Sequence, residues 1–330
     1  LVSRFKILAN LDISERRKPQ DGVIKVRISN KKVQLRVSTL PTIFGEKIVM
    51  RVQFPDEFST LKLELLGFEE DEVAKLRETY SKPYGIILVV GPTGSGKTTT
   101  LYSILQELNK EEVNIVTAED PVEINIPGLN QVQIDEKAGR TFEAVLRSFL
   151  RQDPDIMLIG EIRDAITAEI AIKSSLTGHL VLSTLHVNDA PSTIARLMDM
   201  GIEPFLISSS LLAISAQRLV RKLCPHCKVP YEPTKEKREY YGITADIIYK
   251  ANKQGCEHCN HLGYKGRTVI AELMFVDNEI REAINQRKAT KEIRELAVKK
   301  GMKTLFQSGI IKVNKGITSL EEVLRVSIQD

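Results

Sequence analysis

The chain has 330 residues, of which 42% are hydrophobic and 27% charged, as in an ordinary globular protein large enough for two or three domains. Its 47 basic and 43 acidic residues nearly balance, which argues against a nucleic-acid-binding protein with a concentrated basic face. There is no run of about 18 apolar residues to span a membrane and no apolar stretch of a signal peptide at the start, so we expect a cytoplasmic protein.

The first part of the chain has the pattern of short β-strands. Residues 22–53 alternate apolar and polar positions and are rich in Val, Ile and Thr, with a turn predicted at residues 29–31. We expect a β-rich domain over residues 1–53, a linker over residues 54–63 and an amphipathic helix over residues 69–80.

From residue 85 onward, short apolar runs alternate with helical stretches. The runs GIILVV, VNIVTAED, IMLIGEI and HLVLSTLH are bounded by polar turns, as expected for strands buried on both faces of a parallel sheet. The predicted fold class is therefore α/β, with its core over residues 64–220. A helix-rich tail is predicted from about residue 190, interrupted by a cysteine-containing subdomain over residues 221–269 and ending in residues 270–330.

A glycine-rich loop follows the first of these apolar runs. It satisfies the pattern G-x-x-x-x-G-K-[ST], with a predicted strand before it and a predicted helix after it. Its glycines let backbone N–H groups turn toward phosphate oxygens, while Lys97 places a positive charge near the β- and γ-phosphates and the Thr98 hydroxyl can bind Mg²⁺. A flexible loop without function would not account for the flanking strand and helix. The residues expected to bind ATP are Gly91, Pro92, Thr93, Gly94, Ser95, Gly96, Lys97, Thr98 and Thr99.

Two acidic residues flank a later apolar run, and only one of them suits a metal site. Ligands of open α/β sheets bind beyond the carboxyl ends of the strands, where the glycine-rich loop also begins. Glu161 follows its strand, whereas Asp155 precedes the strand. The two acids are six residues apart, or roughly 20 Å of extended chain. We therefore expect Glu161 to face the water and Mg²⁺, and Asp155 to be a solvated acid.

A second acidic group closes the predicted strand within residues 114–124. Glu119 and Asp120 stand at its carboxyl end, and Glu123 follows shortly after. A carboxylate at this place could orient and deprotonate the water that attacks the γ-phosphate. Spacing alone does not determine which of the three acids would do so.

Two of the five histidines lie at opposite ends of the next predicted strand. His186 stands at the carboxyl end, in a cluster of Ser, Thr and Asn residues, and either His186 or Thr184 could sense the γ-phosphate. His179 stands at the other end, away from the nucleotide. The alternative for each is a histidine that only satisfies local hydrogen bonds.

The four cysteines occur as two C-x-x-C pairs separated by 28 residues. Two such pairs can wrap a tetrahedral Zn²⁺, although this gap is longer than the common spacing of zinc ribbons. All four positions would be filled by sulfur, so we expect a structural metal rather than a catalytic one. His226, His258 and His261 are alternative ligands, and redox-active thiols are the alternative chemistry. The expected zinc ligands are Cys224, Cys227, Cys256 and Cys259.

Together these motifs resemble one family, the ATPases of type II secretion and type IV pilus assembly. Within that family residues 114–124 are similar to the aspartate box, residues 150–164 to the atypical Walker B motif and residues 177–189 to the histidine box. The resemblance covers nearly the whole chain and includes the segments SRFKILANLDISERRKPQDG, RVSTLPTIFGEKIVMR, GPTGSGKTTT, AEDPVE, LRQDPDIMLIGEIRD and TGHLVLSTLH, with the paired cysteines.

This resemblance implies a RecA-like motor domain that follows a β-rich, PAS-like domain and works as a homo-hexamer. The hexamer would lie on the cytoplasmic face of the inner membrane, as a peripheral protein bound to a platform membrane protein of the secretion or pilus machinery. Its cofactors would be ATP, Mg²⁺ and structural Zn²⁺, with no nucleic acid and no transmembrane segment of its own. ATP hydrolysis would push pilin or pseudopilin subunits out of the membrane.

The resemblance also assigns roles to single residues. Glu119 matches the aspartate-box glutamate that acts in catalysis, Glu161 the Walker B glutamate and His186 the nucleotide-sensing histidine. In this family arginines from the β-rich domain and from neighbouring elements reach the phosphates. The matching positions here are Arg36, Arg147 and Arg151.

The chain departs from the family pattern in its first part. The run PQDG is commonly followed by Arg, whereas Val23 stands here, so Arg36 or Arg27 must suffice for phosphate binding or turnover is slow. The first residues resemble the middle of the family's β-rich domain, so we expect further N-terminal parts that bind the secretion machinery. The paired cysteines resemble the assembly branch rather than the retraction branch and favour extrusion.

Two other functional classes are compatible with a phosphate-binding loop. A DNA-handling protein could use the cysteine segment to grip nucleic acid, but the chain lacks the basic, aromatic-interleaved stripe that such binding requires. A nucleotide-dependent binding switch would hydrolyse little ATP, and Val23 lends it some support. Turnover without any partner would argue against the switch.

Overall fold

The computed structural model describes residues 1–28, 31–53 and 62–327. The predicted turn at residues 29–31 lies outside this part of the chain except for its last residue. The predicted linker at residues 54–63 lies outside it except for its last two residues. The described residues divide into two compact units, one ending before Lys62 and including Glu123–Ile126, the other formed by the rest.

The first unit is a three-stranded antiparallel sheet with one short helix, as the alternating pattern of its sequence predicts. Ala9, Ile24 and Val37 form its small apolar core. Gly45 turns the chain between the last two strands with φ +112°, a conformation that favours glycine. Its elements are α1 (Val2–Leu8), β1 (Gln20–Ile28), β2 (Lys31–Thr42) and β3 (Gly45–Gln53).

The second unit is built on a seven-stranded sheet in the order β12-β9-β4-β8-β7-β5-β6. All neighbouring strands run parallel except β9 and β12, so the predicted α/β fold with a parallel sheet is confirmed. Every residue of the central strands β4 and β8 is buried. The strands are β4 (Gly85–Val90), β5 (Ile115–Glu119), β6 (Asn130–Gln133), β7 (Ile156–Ile159), β8 (Leu180–Leu185), β9 (Leu211–Leu223) and β12 (Tyr264–Phe275).

Helices connect these strands and continue to the end of the described chain. Several begin at a side chain that caps the first backbone N–H groups, such as Asp164 and Asp189, which each accept a hydrogen bond at their helix start. The helices are α2 (Leu63–Leu66), α3 (Glu70–Tyr80), α4 (Lys97–Leu108), α5 (Phe142–Phe149), α6 (Ala165–Leu176), α7 (Ala190–Asp199), α8 (Pro204–Ser210), α9 (Lys235–Tyr241), α10 (Asn278–Asn285), α11 (Thr290–Lys299), α12 (Leu305–Asn314) and α13 (Leu320–Val326). Within the described ranges, no helix has both the length and the apolar character needed to cross a membrane.

The predicted helix-rich tail from about residue 190 is wrong at β9 and β12. Strand β9 has 13 residues and pairs with β4 on one side and with β12 on the other, which buries its apolar first half. Tertiary pairing therefore overrides the local pattern of this segment. The cysteine segment leaves the sheet at the end of β9 and returns at β12, and it carries a two-stranded sheet of β10 (Val229–Tyr231) and β11 (Ile248–Lys250).

Candidate nucleotide site and cysteine cluster

The glycine-rich loop lies between the carboxyl end of β4 and the first turn of α4. Gly94 and Gly96 have φ of +79° and +91°, which L side chains rarely adopt. Gly91 has φ +143°, and a Cβ built there would lie 2.6 Å from the carbonyl oxygen of Gln217. The loop therefore needs glycine for both its conformation and its close approach to β9.

Lys97 begins α4 and points back over the loop. Its Nζ donates to the carbonyl oxygens of Gly91 and Pro92 at 2.9 and 3.0 Å. Burial, together with the nearby charge of Arg218, lowers the pKa of Lys97 from 10.5 to about 8. A bound anion would stabilise the ammonium group in this setting. The N-terminus of α4 also favours a negatively charged ligand.

The loop also contains polar groups suited to phosphate oxygens. The buried hydroxyl of Ser95 has no hydrogen-bond partner within the described part of the chain. Thr98 and Thr99 are half-buried in the first turn of α4, whereas Pro92, Thr93 and Gly94 are exposed. An unpaired buried hydroxyl beside glycines in this conformation fits a phosphate cradle.

Glu161 and His186 meet beside this loop, at the carboxyl ends of the neighbouring strands β7 and β8. His186 Nε2 lies 3.3 Å from Glu161 Oε2, and Arg163 forms an ion pair with the same carboxylate. Burial, with the charges of Lys97 and Arg163, lowers the pKa of His186. The structure therefore brings the predicted metal-side acid, the predicted sensor histidine and the loop lysine to one edge of the sheet.

Glu119 ends β5 but is buried, with a relative exposure of 4%. Thr117 and Gln131 donate to one oxygen of its carboxylate, at 2.6 and 3.2 Å, and the hydroxyl of Tyr102 donates to the other. Tyr102 belongs to α4, so this network joins the helix after the glycine-rich loop to β5 and β6. The catalytic role of Glu119 stays a prediction.

The other two acids of this segment have different partners. Asp120 lies 3.6 Å from Arg163, an ion pair on the exposed surface. Glu123 accepts a hydrogen bond at 2.9 Å from Arg36 within the first unit. Val23, at the position where the resemblance implies an arginine, stands directly opposite Arg36 in the β1–β2 ladder.

Arg147 and Arg151 are not brought to the glycine-rich loop of the same chain. Arg147 lies in α5 and donates to Glu143 at 2.9 Å, and Arg151 donates to the carbonyl oxygen of Arg147 at 3.0 Å. The residues after Arg151 accept hydrogen bonds from Asn114, which precedes β5. This end of α5 therefore lies at the amino ends of the strands, the edge opposite the loop. Their role as phosphate ligands stays a prediction.

Asp155 and His179 lie at that same amino-terminal edge. Asp155 accepts a hydrogen bond from the backbone N–H of Asn114 at 2.7 Å, and His179 Nδ1 lies 2.9 Å from the carbonyl oxygen of Ser174. Both side chains therefore have local partners and lie away from the glycine-rich loop. This is where their positions in the sequence predict them to lie.

Sequence reasoning missed two arginines at the carboxyl edge. Arg163 could have been found, because it follows Glu161 by two residues in the same motif. Arg218 gave no signal, because its segment was expected to be helical. On β9, it donates to the carbonyl oxygens of Gln217 and Asn188 at 2.9 and 3.1 Å.

The four cysteines form one cluster, with all four Sγ atoms within 4.8 Å of one another. Cys224 and Cys256 have their Sγ atoms 3.7 Å apart, and Cys227 and Cys259 have theirs 3.8 Å apart. A Zn–S bond of about 2.3 Å in a tetrahedron places sulfur atoms about 3.8 Å apart, so these distances fit zinc. His226 and His258 stack on each other, with ring centroids 4.0 Å apart. Like His261, they lie outside this cluster of possible ligands.

Comparison with known proteins agrees with these features. The profile of the family described as type II/IV secretion system protein matches residues 1–325. The type II secretion system ATPase E of Vibrio cholerae is 51% identical over 330 residues, covering 99% of this chain and 65% of that protein. The type IV pilus assembly ATPase PilB of Myxococcus xanthus is 52% identical, covering 98% of this chain and 58% of that protein.

Solved structures share the same architecture. The crystal structure of the pilus retraction motor PilT with bound ADP superposes with a TM-score of 0.70 at 26% identity, covering 95% of this chain and 78% of that one. The ATPase DotB of Yersinia pseudotuberculosis has a TM-score of 0.72 at 22% identity, covering 99% of this chain and 81% of that one, and shares the fold. The chain thus spans 65% and 58% of the lengths of the Vibrio and Myxococcus relatives and nearly all of the family profile, and it belongs to the type II/IV secretion system protein family.

Proposed function

We propose that this chain is the motor part of an ATPase that hydrolyses ATP to power assembly of a type IV pilus or a type II secretion pseudopilus. One observation carries the proposal. The loop with Lys97, the loop with His186 and the carboxylate of Glu161 stand at the ends of three neighbouring parallel strands, β4, β8 and β7. Ligands of open α/β sheets bind at this edge, and the names of the relatives supply the process.

The residues at this edge would have different tasks in ATP hydrolysis. The N–H groups of the glycine-rich loop and Lys97 would bind and orient the phosphates. Thr98 and Glu161 would hold Mg²⁺, which neutralises phosphate charge when bound. His186, whose Nε2 lies 3.3 Å from Glu161 Oε2, would respond to the γ-phosphate. Electrostatic stabilisation of the transferred phosphoryl group is the main task of such a site.

A carboxylate near the loop would position the attacking water and take its proton. Resemblance assigns this task to Glu119, whose carboxylate must first give up hydrogen bonds from Tyr102 and Thr117. Asp120 and Glu123 are the alternatives, and each carboxylate forms an ion pair with an arginine. Isosteric replacement of each acid by its amide (Glu119→Gln, Asp120→Asn and Glu123→Gln) separates them through the rate of hydrolysis.

The cysteine cluster would hold a structural zinc ion. Cys224, Cys227, Cys256 and Cys259 would fill all four positions of a tetrahedral site and leave none open for a substrate. The ion would tie the chain leaving β9 to the chain returning at β12, across a segment with only two short strands of its own.

We also propose a homo-hexamer, peripheral on the cytoplasmic face of the inner membrane and bound to a platform protein of the secretion machinery. The resemblance implies that Arg147 and Arg151 bind phosphate, and because they lie at the edge opposite the loop of their own chain, they would do so in another copy. The proposed domains are residues 1–53, 54–63, 64–220, 221–269 and 270–330.

The proposed function is tested by ATP hydrolysis per mole of chain over a range of protein concentrations, with and without DNA. Specific activity that rises with concentration and does not respond to DNA would support sites completed between subunits. Activity that is flat with concentration and strongly raised by DNA would contradict the motor and favour a nucleic-acid enzyme. Absence of turnover with retained nucleotide binding would favour a binding switch.

A further inference from the structure

Arg218 lies directly behind the start of the glycine-rich loop. In the parallel ladder, Val90 at the end of β4 is paired with Ala216 of β9, two residues before Arg218. The carbonyl oxygen of Gln217 is the group that a Cβ at Gly91 would meet at 2.6 Å. Arg218 donates one guanidinium N–H to this same oxygen at 2.9 Å. One end of its guanidinium is therefore hydrogen-bonded to the β9 carbonyl that lies against Gly91.

The other end of the guanidinium reaches the loop that follows β8. It donates to the backbone carbonyl and to Oδ1 of Asn188, at 3.1 and 3.2 Å. Asn188 comes two residues after His186. Because β4 lies between β9 and β8 in the sheet, these hydrogen bonds pass over the carboxyl end of β4. Arg218 thus links the strand behind the glycine-rich loop to the segment that carries the sensor histidine.

The charge of Arg218 is placed close to that of Lys97. Its hydrogen bonds go to neutral oxygens, while the acids near it, Glu272 and Asp189, lie 3.4 and 2.8 Å from Arg294. Burial lowers the pKa of Arg218 despite those two acids, and its charge in turn contributes to the lowered pKa of Lys97. Two half-buried cations that repel each other are stabilised when a polyanion binds between or beside them.

We propose that Arg218 is a positioning residue of the phosphate site. Its guanidinium holds the segment after His186 across the end of β4 and adds a second positive charge beside Lys97. The ligand class is a nucleoside diphosphate or triphosphate, so the inference rests on the proposed nucleotide function. Charge and geometry have separable consequences. The charge acts on binding of the phosphates, whereas the two-ended hydrogen bond acts on the step that needs His186 in place.

Three variants separate these contributions. Arg218→Gln removes both the charge and the forked donor, so ADP should bind about tenfold more weakly and kcat should fall as well. Arg218→Lys keeps the charge but not the fork, so ADP affinity should stay within about threefold of the wild type while kcat falls about tenfold. Asn188→Ala removes one acceptor of the fork and should lower kcat with little change in ADP affinity. Exposed Lys222, four residues further along β9, provides the charge-matched control Lys222→Gln.

The experiment measures ADP affinity by calorimetry, the KM and kcat for ATP, and the thermal midpoint, for the full chain and each variant. We expect Arg218→Lys to bind ADP with nearly wild-type affinity and Arg218→Gln to bind it more weakly, with a low kcat in both variants. The proposal is overturned if Arg218→Gln binds ADP within threefold of the wild type. It is also overturned if Arg218→Lys and Arg218→Gln lose ADP affinity equally. If Arg218→Gln does not fold, unchanged kcat in both Arg218→Lys and Asn188→Ala overturns it. Failure of the wild type to bind ADP would instead contradict the proposed function.

Discussion

His186 Nε2 lies 3.3 Å from Glu161 Oε2, which joins the ends of the neighbouring strands β8 and β7 beside the glycine-rich loop. Twenty-five positions of sequence separate these two residues, and parallel pairing of their strands brings them together. Glu161 is mostly buried, with its side chain 14% exposed. The pair therefore provides a single place where a change at the phosphates could be transmitted from one strand to the next.

Replacement of Glu161 by Gln should separate binding from hydrolysis. The amide keeps the size of the side chain but removes the negative charge proposed to face Mg²⁺ and water, so kcat should fall about a hundredfold or more while ADP binding persists. Turnover and calorimetric ADP binding measure the two effects. Glu169→Gln is the matched control, because Glu169 is exposed on α6 and pairs with Lys173. Full turnover in Glu161→Gln would contradict the assignment.

Affinity for ADP should fall as pH rises above about 8. The pKa of Lys97 is lowered from 10.5 to about 8, so Lys97 of the free protein loses its proton as pH rises through about 8. Phosphate binds the charged form, and the complex must therefore regain that proton as pH rises. Between pH 7.5 and 9.5 the affinity for ADP should fall by about 20-fold, because the charged fraction of Lys97 in the free protein falls by that factor.

The matched variant for this experiment is Lys97→Ala. It should abolish ATP turnover through lost phosphate contacts, bind ADP weakly at both pH values and lack the slope of the wild type. A wild-type affinity that does not change over this range would contradict a titrating lysine in the site. Normal turnover of Lys97→Ala would contradict the loop assignment itself.

Glu119→Gln should destabilise the fold whatever its effect on catalysis. The carboxylate accepts hydrogen bonds from Tyr102, Thr117 and Gln131 in a buried place, and an amide offers donors where an acceptor is needed. The free energy of unfolding should fall by about 1–3 kcal/mol, measured in urea. Glu111→Gln, at an exposed position after α4, should leave it unchanged. An unaltered urea midpoint for Glu119→Gln would be inconsistent with the network.

Cys224→Ser should lower both the zinc content and the thermal midpoint. Cys224 is fully buried, and its Sγ lies 3.7 Å from that of Cys256, so a hydroxyl there leaves the cluster with three thiolates. The wild type should contain about one zinc ion per chain by atomic absorption. ADP affinity should not change, because the cluster lies outside the phosphate site. The zinc site would be refuted if the purified wild type contained no zinc and its thermal midpoint were the same with and without a chelator.

Much of the nucleotide site could be predicted because its signals are local. The glycines of residues 91–96, the lysine that follows and the flanking apolar run lie within one short stretch, and the positive φ angles of Gly94 and Gly96 are conformations that glycine adopts without strain. The same holds for Glu161 and His186, since each stands directly after a buried strand. Parallel strands place their carboxyl ends on one edge, so the order of apolar runs was enough to bring both residues to the loop.

What the sequence by itself determined is thus the phosphate loop, the α/β sheet and the pairing of cysteines into two knuckles. Tertiary structure alone decided that residues 211–223 form a strand, because pairing with β4 and β12 outweighs a local pattern that also suits a helix. It also decided that Glu119 is buried, that Arg147 and Arg151 lie at the opposite edge, and that Arg218 spans the end of β4. Each of these features depends on contacts with residues distant in the sequence, and the spacing of residues does not predict such contacts.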